Sequence, residues 1–224
     1  MKKSILILTL ISLYFGVNAQ TKITGLGKLE LGSPIAIINE LGFKVKTILS
    51  NEFGKELELI RNSHSNRAFE FIADNPEKHS ASYSLLDKTV RLFFIPKLYV
   101  SDIIEFKSVR LEFFNGKLVE IECDYSGNLI ETLTLKYGEP INDFKEADCV
   151  FTNFDTGIRV EKKVKEYTSI WQNSDLHIFC KCLVMKYLGD DGKEMQDSKV
   201  KLSDDTYSEE IKKAENRVSI GTDK

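Results

Sequence analysis

Between Val109 and Tyr125 the order of residues leaves room for one local structure. Val109, Leu111 and Phe113 alternate with Arg110 and Glu112, and Val119, Ile121, Cys123 and Tyr125 alternate with Glu120, Glu122 and Asp124. A period of two puts each apolar set on one face of an extended strand. The dipeptide between the two runs, Asn115-Gly116, is the preferred two-residue reversal, because both positions tolerate positive φ. The hairpin so formed has one apolar face that must be covered, and the next segment supplies a cover. Leu129, Ile130, Leu133 and Tyr137 form a stripe at helical spacing, Ser126 or Asn128 can cap the first turn, and Gly138 with Pro140 ends it. This predicts a helix over 127–137 lying on the sheet.

The same logic extends in both directions. Gly32-Ser33-Pro34 supplies a turn, an N-cap hydroxyl and a proline at the first helical position, and Ile35, Ile38 and Leu41 share a face before Gly42, which predicts a short helix over 34–41. Val45, Thr47 and Leu49 alternate with Lys44, Lys46 and Ile48, Leu57 and Leu59 alternate with Glu56 and Glu58, and Phe69 and Phe71 precede an Asp74-Asn75-Pro76 turn, all of which suggests antiparallel strands. The polar stretch 75–84 is a loop by composition. The apolar run Val90 to Ile95 is expected to stop at Pro96, since proline cannot donate to a ladder. A second hairpin is predicted from 158–171 and 176–188, joined at Gln172-Asn173-Ser174-Asp175, with the later strand apolar enough on both faces to be central. From Gly189 onward the composition turns polar, and 189–224 is expected to be a poorly ordered tail, with one short helix around 209–214.

Together these predict an α+β fold, a twisted antiparallel sheet with two short helices packed on one face. Each half of the chain makes strands and one helix ending in glycine, a weak echo of two related βα halves. The expected organisation is a leader at 1–19, a first strand-rich half at 20–108, a hairpin-helix-hairpin half at 109–188, as the same domain or a second subdomain, and the tail.

The leader is an address. Lys2 and Lys3 precede an apolar run from Ile5 to Val17, and Val17-Asn18-Ala19 has the small-x-small spacing that a signal peptidase cleaves, here before Gln20. A permanent anchor needs about 20 apolar residues, and Asn18, Gln20 and Lys22 interrupt the run too early. The expectation is an exported product, periplasmic or secreted from a bacterium, not embedded in a membrane after cleavage. A net charge of -3 with no concentrated basic face argues against nucleic acid as a partner.

Compartment governs the reading of the four cysteines, Cys123, Cys149, Cys180 and Cys182. In an oxidising environment structural disulfides are the default. Cys180 and Cys182 share a strand face with Cα atoms about 6.6 Å apart, at the far edge of a relaxed bridge. Pairing of Cys123 with one of them, leaving Cys149 for the other, is therefore favoured, with buried free thiols as the alternative. A metal site is disfavoured because His177 is an odd number of residues from both Cys180 and Cys182 and so faces the other side of the strand. No cofactor is implied.

Catalytic chemistry has little to stand on. His64 and His79 lie in polar, serine-rich stretches, and nucleophile-elbow, zinc-helix and phosphate-loop motifs are absent. Glu120 and Glu122 share the outer face of one strand, with Glu112 nearby across the hairpin, and could flank a glycoside, but a solvated acidic face is the plainer interpretation. Tyr167 and Trp171 are candidate interface residues, since aromatic side chains carry contact energy, with core packing as the alternative for the single tryptophan.

The run Gly27-Lys28-Leu29-Glu30-Leu31-Gly32 leading into a helix, and the strand-Asn-Gly-strand-helix unit ending Lys136-Tyr137-Gly138-Glu139-Pro140, resemble small exported bacterial proteins of uncharacterised families. More distantly, the stretch Gly25 to Leu188 resembles the β-lactamase-inhibitor-like fold shared with a small outer-membrane assembly lipoprotein. The resemblance implies a binding or scaffold role for a curved sheet. The chain departs from the lipoprotein in having no cysteine at the cleavage point, its first being Cys123. The functional expectation is a non-catalytic binding or inhibitor-like module acting through its sheet face, with a protein of the cell envelope as the partner; an envelope hydrolase with a loop-built site and a structural envelope component are the alternatives.

Overall fold

The computed structural model describes residues 22–49, 66–72, 89–152, 159–189, 191–207 and 210. The leader, both loop histidines His64 and His79, the strand expected around Leu57 and the loop at 75–84 lie outside the described residues, as does all of the helix expected at 209–214 except Glu210.

The chain is mostly sheet, with two helices. A two-residue ribbon, β1 (Gly25–Leu26) and β2 (Leu29–Glu30), leads to helix α1 (Ile37–Glu40) and then to strands β3 (Lys44–Leu49), β4 (Arg67–Ile72), β5 (Val90–Ser101), β6 (Ile104–Phe114) and β7 (Lys117–Ser126). Helix α2 (Leu129–Tyr137) follows, then β8 (Ile141–Thr152), β9 (Arg159–Asn173), β10 (Ile178–Leu188) and β11 (Glu194–Asp204). Nine of these strands form one sheet in the order β3-β4-β5-β6-β7-β11-β10-β9-β8.

Local signals placed several elements. Asn115 and Gly116 take φ of 49° and 77° and close the β6–β7 hairpin, with Phe114 opposite Lys117. Gly138 ends α2 at φ 89°. β10 lies inside the sheet, between β9 and β11.

The structure corrects four expectations. The supposed tail contributes β11, which inserts between β7 and β10 and pairs with both, so that Val200 lies between Cys123 and Cys182. Val200 and Leu202 are wholly buried, each worth about 1.5–3 kcal/mol of transfer free energy. β5 does not stop at Pro96 but runs through it. Pro96 sits between the Ile95↔Val109 and Lys97↔Lys107 pairs, opposite Ser108, which has φ 51° and lies where β6 carries an extra residue against β7. Pro96 itself has no ladder partner on β6, so the strand passes it without needing its N-H. β3 pairs with β4 in parallel rather than antiparallel, and positions 50–66 are long enough for the crossover such a pair requires. α1 is shorter than the predicted 34–41: Pro34 forms a bridge with Lys117 instead, Ala36 takes the N-cap place, and Ser33 makes no capping bond.

One face of the sheet carries the main core. Phe93 and Ile95 of β5, Val109, Leu111 and Phe113 of β6, Ile121 and Cys123 of β7, Val200 and Leu202 of β11, and Cys180 and Cys182 of β10 cluster with Ile38 of α1 and Leu129 and Leu133 of α2. The opposite face holds two smaller clusters, Ile48 with Phe69 and Phe94, and Val90 with Phe114 and Val119.

Candidate functional site

The core claims several residues singled out above. Trp171 is 4% exposed, and its indole N-H donates to the carbonyl of Gly138 at 2.7 Å, so it belongs to the core and is no interface residue. All four cysteines are free thiols. Cys123 and Cys182 share a row but are separated by β11, a distance of about 9.6 Å across two strand spacings, which is beyond the reach of a bridge. Cys149 lies on β8 opposite Lys162, away from the other three. The disulfides expected from the compartment are thus not formed in this structure. Cys180 shares a hydrogen bond with Cys182, and that bond together with burial pushes its thiol well above the ordinary range. Burial, reinforced by Asp124, does the same to Cys123.

The three glutamates are also accounted for. Arg110 reaches Glu120 at 3.4 Å, Glu112 at 3.5 Å and Glu122 at 3.9 Å, and Lys201 of β11 meets Glu120 at 2.9 Å. Glu112 is only 6% exposed. These carboxylates form an ion-paired grid across β6, β7 and β11 rather than a solvated acidic face, and each has a cation where a catalytic pair would need substrate. No group of side chains suited to holding a metal ion occurs among the described residues.

What remains open is the far end of β8 to β11. The β9–β10 ladder ends at the Lys165↔Lys186 pair. β9 nevertheless continues to Arg159, paired with β8, and β10 continues to Leu188, paired with β11. The sheet therefore splits into two hairpins with a fork between them, whose inner strand edges have no ladder partner among the described residues. A cleft of about 800 Å³ occupies the fork, lined by Lys162, Lys163, Lys165 and Lys186, which outnumber the two acidic lining residues Glu161 and Glu194. Tyr167 stands at its edge, 42% exposed, with its ring 5.0 Å from that of Phe144.

One side of the fork is bridged. The rings of Phe151 and Tyr187 lie 5.0 Å apart, and the Lys162 ammonium sits 5.5 Å from the first and 5.9 Å from the second. The Tyr187 hydroxyl donates to Asp197 at 3.0 Å, and partial burial with this carboxylate nearby raises its pKa. Lys163 and Lys186 are held by Glu146 at 3.9 Å and Glu194 at 3.4 Å. Chemically the fork offers backbone donors and acceptors, aromatic faces and ammonium groups. Among the described residues that line it there is no histidine or cysteine.

A mostly antiparallel sheet forked between β9 and β10, accompanied by two helices, describes the class of this molecule. No family model, curated protein or solved structure matches the chain. No helix among the described residues is long and apolar enough to cross a membrane.

Proposed function

We propose that this is an exported, non-catalytic binding module that takes an extended, acidic segment of a protein partner into the fork between β9 and β10. The observation that carries the reading is the loss of pairing beyond Lys165↔Lys186 while both strands continue. Two strand edges facing each other across a cleft can each pair with an inserted strand, so main-chain hydrogen bonds provide affinity without chemistry. Lys162, Lys163, Lys165 and Lys186 around the cleft favour carboxylates. Tyr167, Phe151 and Tyr187 supply the flat apolar contacts that concentrate binding energy. The leader and the protein-partner class support an envelope location.

The test is nuclear magnetic resonance titration with a panel of acidic peptides of high β propensity. Binding should move the amide signals of Val160 to Lys165 and of Lys186 to Glu194, and Lys163→Glu with Lys165→Glu should abolish it. If every peptide leaves those signals in place, the fork is not a strand acceptor.

A further inference from the structure

Strand β8 forms the outer edge of the sheet, and its free side has no partner among the described residues. The Phe144 N-H donates to the Asp143 carboxylate at 3.0 Å rather than into the β8–β9 ladder. Main-chain groups alternate sides along a strand, so Asn142, Phe144 and Glu146 direct theirs at the free edge. Ile141 is 65% and Phe144 54% exposed on this strand. A long edge with exposed apolar side chains pairs with another strand unless something blocks it.

We propose that the occupant is a second copy of this chain, joined β8 to β8 in antiparallel sense about a two-fold axis passing by Phe144. Antiparallel self-pairing places some residue opposite itself, and charge selects which one. Centring on Asp143, Lys145, Glu146 or Asp148 sets that residue against its own like charge, and centring on Ala147 sets Glu146 against Asp148. Centring on Asn142 or on Cys149, Val150 or Phe151 sets no opposite charges together within β8, whereas the Phe144 register reverses the pattern: Asp143 of each copy faces Lys145 of the other, twice. Within one chain these two already sit on the same face, 4.0 Å apart. They fall at positions without ladder bonds, where Cα atoms come within about 4.5 Å and side chains are closest.

The same register brings the two Phe144 rings together, flanked by the two Tyr167 rings already packed against them at a tilt of 45°, and sets Ile141 against Ala147. Two nine-stranded sheets become continuous, and the two-fold symmetry closes the assembly at a dimer. The fork lies further along β9 and β10, so this inference stands apart from the peptide-binding reading.

Sedimentation equilibrium on the mature chain at micromolar concentration tests it, with circular dichroism and thermal melting to verify that each variant folds. The wild type should sediment as a dimer. Asp143→Lys alone, and Lys145→Asp alone, should each weaken association by about tenfold or more, as each sets like charges opposite one another. The double variant Asp143→Lys with Lys145→Asp should restore it. A second measurement, Phe144→Lys, should give a folded monomer. A wild type that stays monomeric, a dimer indifferent to both single reversals, or a double variant no better than either single one overturns the proposal.

Discussion

The indole of Trp171 on β9 holds the carbonyl of Gly138, the residue that terminates α2, through a buried 2.7 Å hydrogen bond. Gly138 has φ 89°, so the chain leaves the helix by a left-handed step and turns directly into β8. The indole thus joins the end of α2 to β9 at the position directly opposite the buried Cys180 of β10.

Trp171→Phe should keep most of the packing but leave a buried carbonyl without this donor, costing about 1–3 kcal/mol. Trp171→Ala should cost about 3–5 kcal/mol because it also opens a cavity. Urea unfolding monitored by circular dichroism measures both. Equal stability of the phenylalanine variant and the wild type would show that the hydrogen bond contributes nothing.

The fold was legible in the sequence where its determinants are local. The β6–β7 hairpin follows from the alternation on either side of Asn115-Gly116, and α2 from a stripe bounded by Gly138. β11 was not, because in Glu194 to Asp204 only Val200 and Leu202 are buried and the rest is polar apart from the exposed Met195. Its signal was present in miniature: Lys199-Val200-Lys201-Leu202 alternates, with Lys199 opposite Asp124 and Lys201 reaching Glu120 of the glutamate grid. Four alternating residues in a polar context do not reveal that two distant strands flank them. Trp171 illustrates a second limit, since a lone aromatic in a hairpin does not declare which face the helix will cover. The fork was invisible for a third reason. It exists because a ladder stops at Lys165↔Lys186, and no residue type marks where pairing between two otherwise continuous strands gives out.

Truncation tests the place of β11. A chain ending after Leu188 loses the partner that lies between β7 and β10 and exposes Cys123, Ile121, Cys180 and Cys182 along the gap. Losing a central strand should abolish cooperative unfolding. The expected result is a shallow, non-sigmoidal urea curve with strong binding of a hydrophobic dye; a sharp native-like transition in the truncated chain would contradict the topology.

Glycine replacement probes the turn before α2. Gly127 has φ 90°, and a Cβ there would lie 2.1 Å from the backbone oxygen of Ile103. Gly32 has φ 85° but nothing within 4 Å of the same position. Gly32→Ala should therefore cost only the left-handed strain, about 1–2 kcal/mol. Gly127→Ala adds a collision with main chain that cannot swing aside, so its loss of stability should be clearly larger. Comparison of the two denaturation midpoints decides, and equal midpoints would place the Ile103 carbonyl elsewhere.

The thiols give a prediction in which the direction with pH can be worked out. Cys123 and Cys180 are buried, and their thiolates are disfavoured in the folded chain, whereas in the unfolded chain a thiol ionises near pH 8.5. Their protonated forms thus contribute stability that is fully present below about pH 8.5 and is lost as the pH rises from there toward the folded values, because unfolding then releases protons. Tyr125, raised by burial and by the nearby Cys182, adds to the loss above about pH 10. The urea midpoint should fall with increasing pH above about 8.5, and more gently in a Cys123→Val, Cys180→Val variant. Alkylation gives an independent measurement on the native protein at pH 8. Cys149, partly exposed on the edge strand, should be modified rapidly, while the other three react only after denaturation. Mass spectrometry that finds several native thiols modified at comparable rates would mean that the sheet opens at β10 or β7 far more readily than its core packing allows.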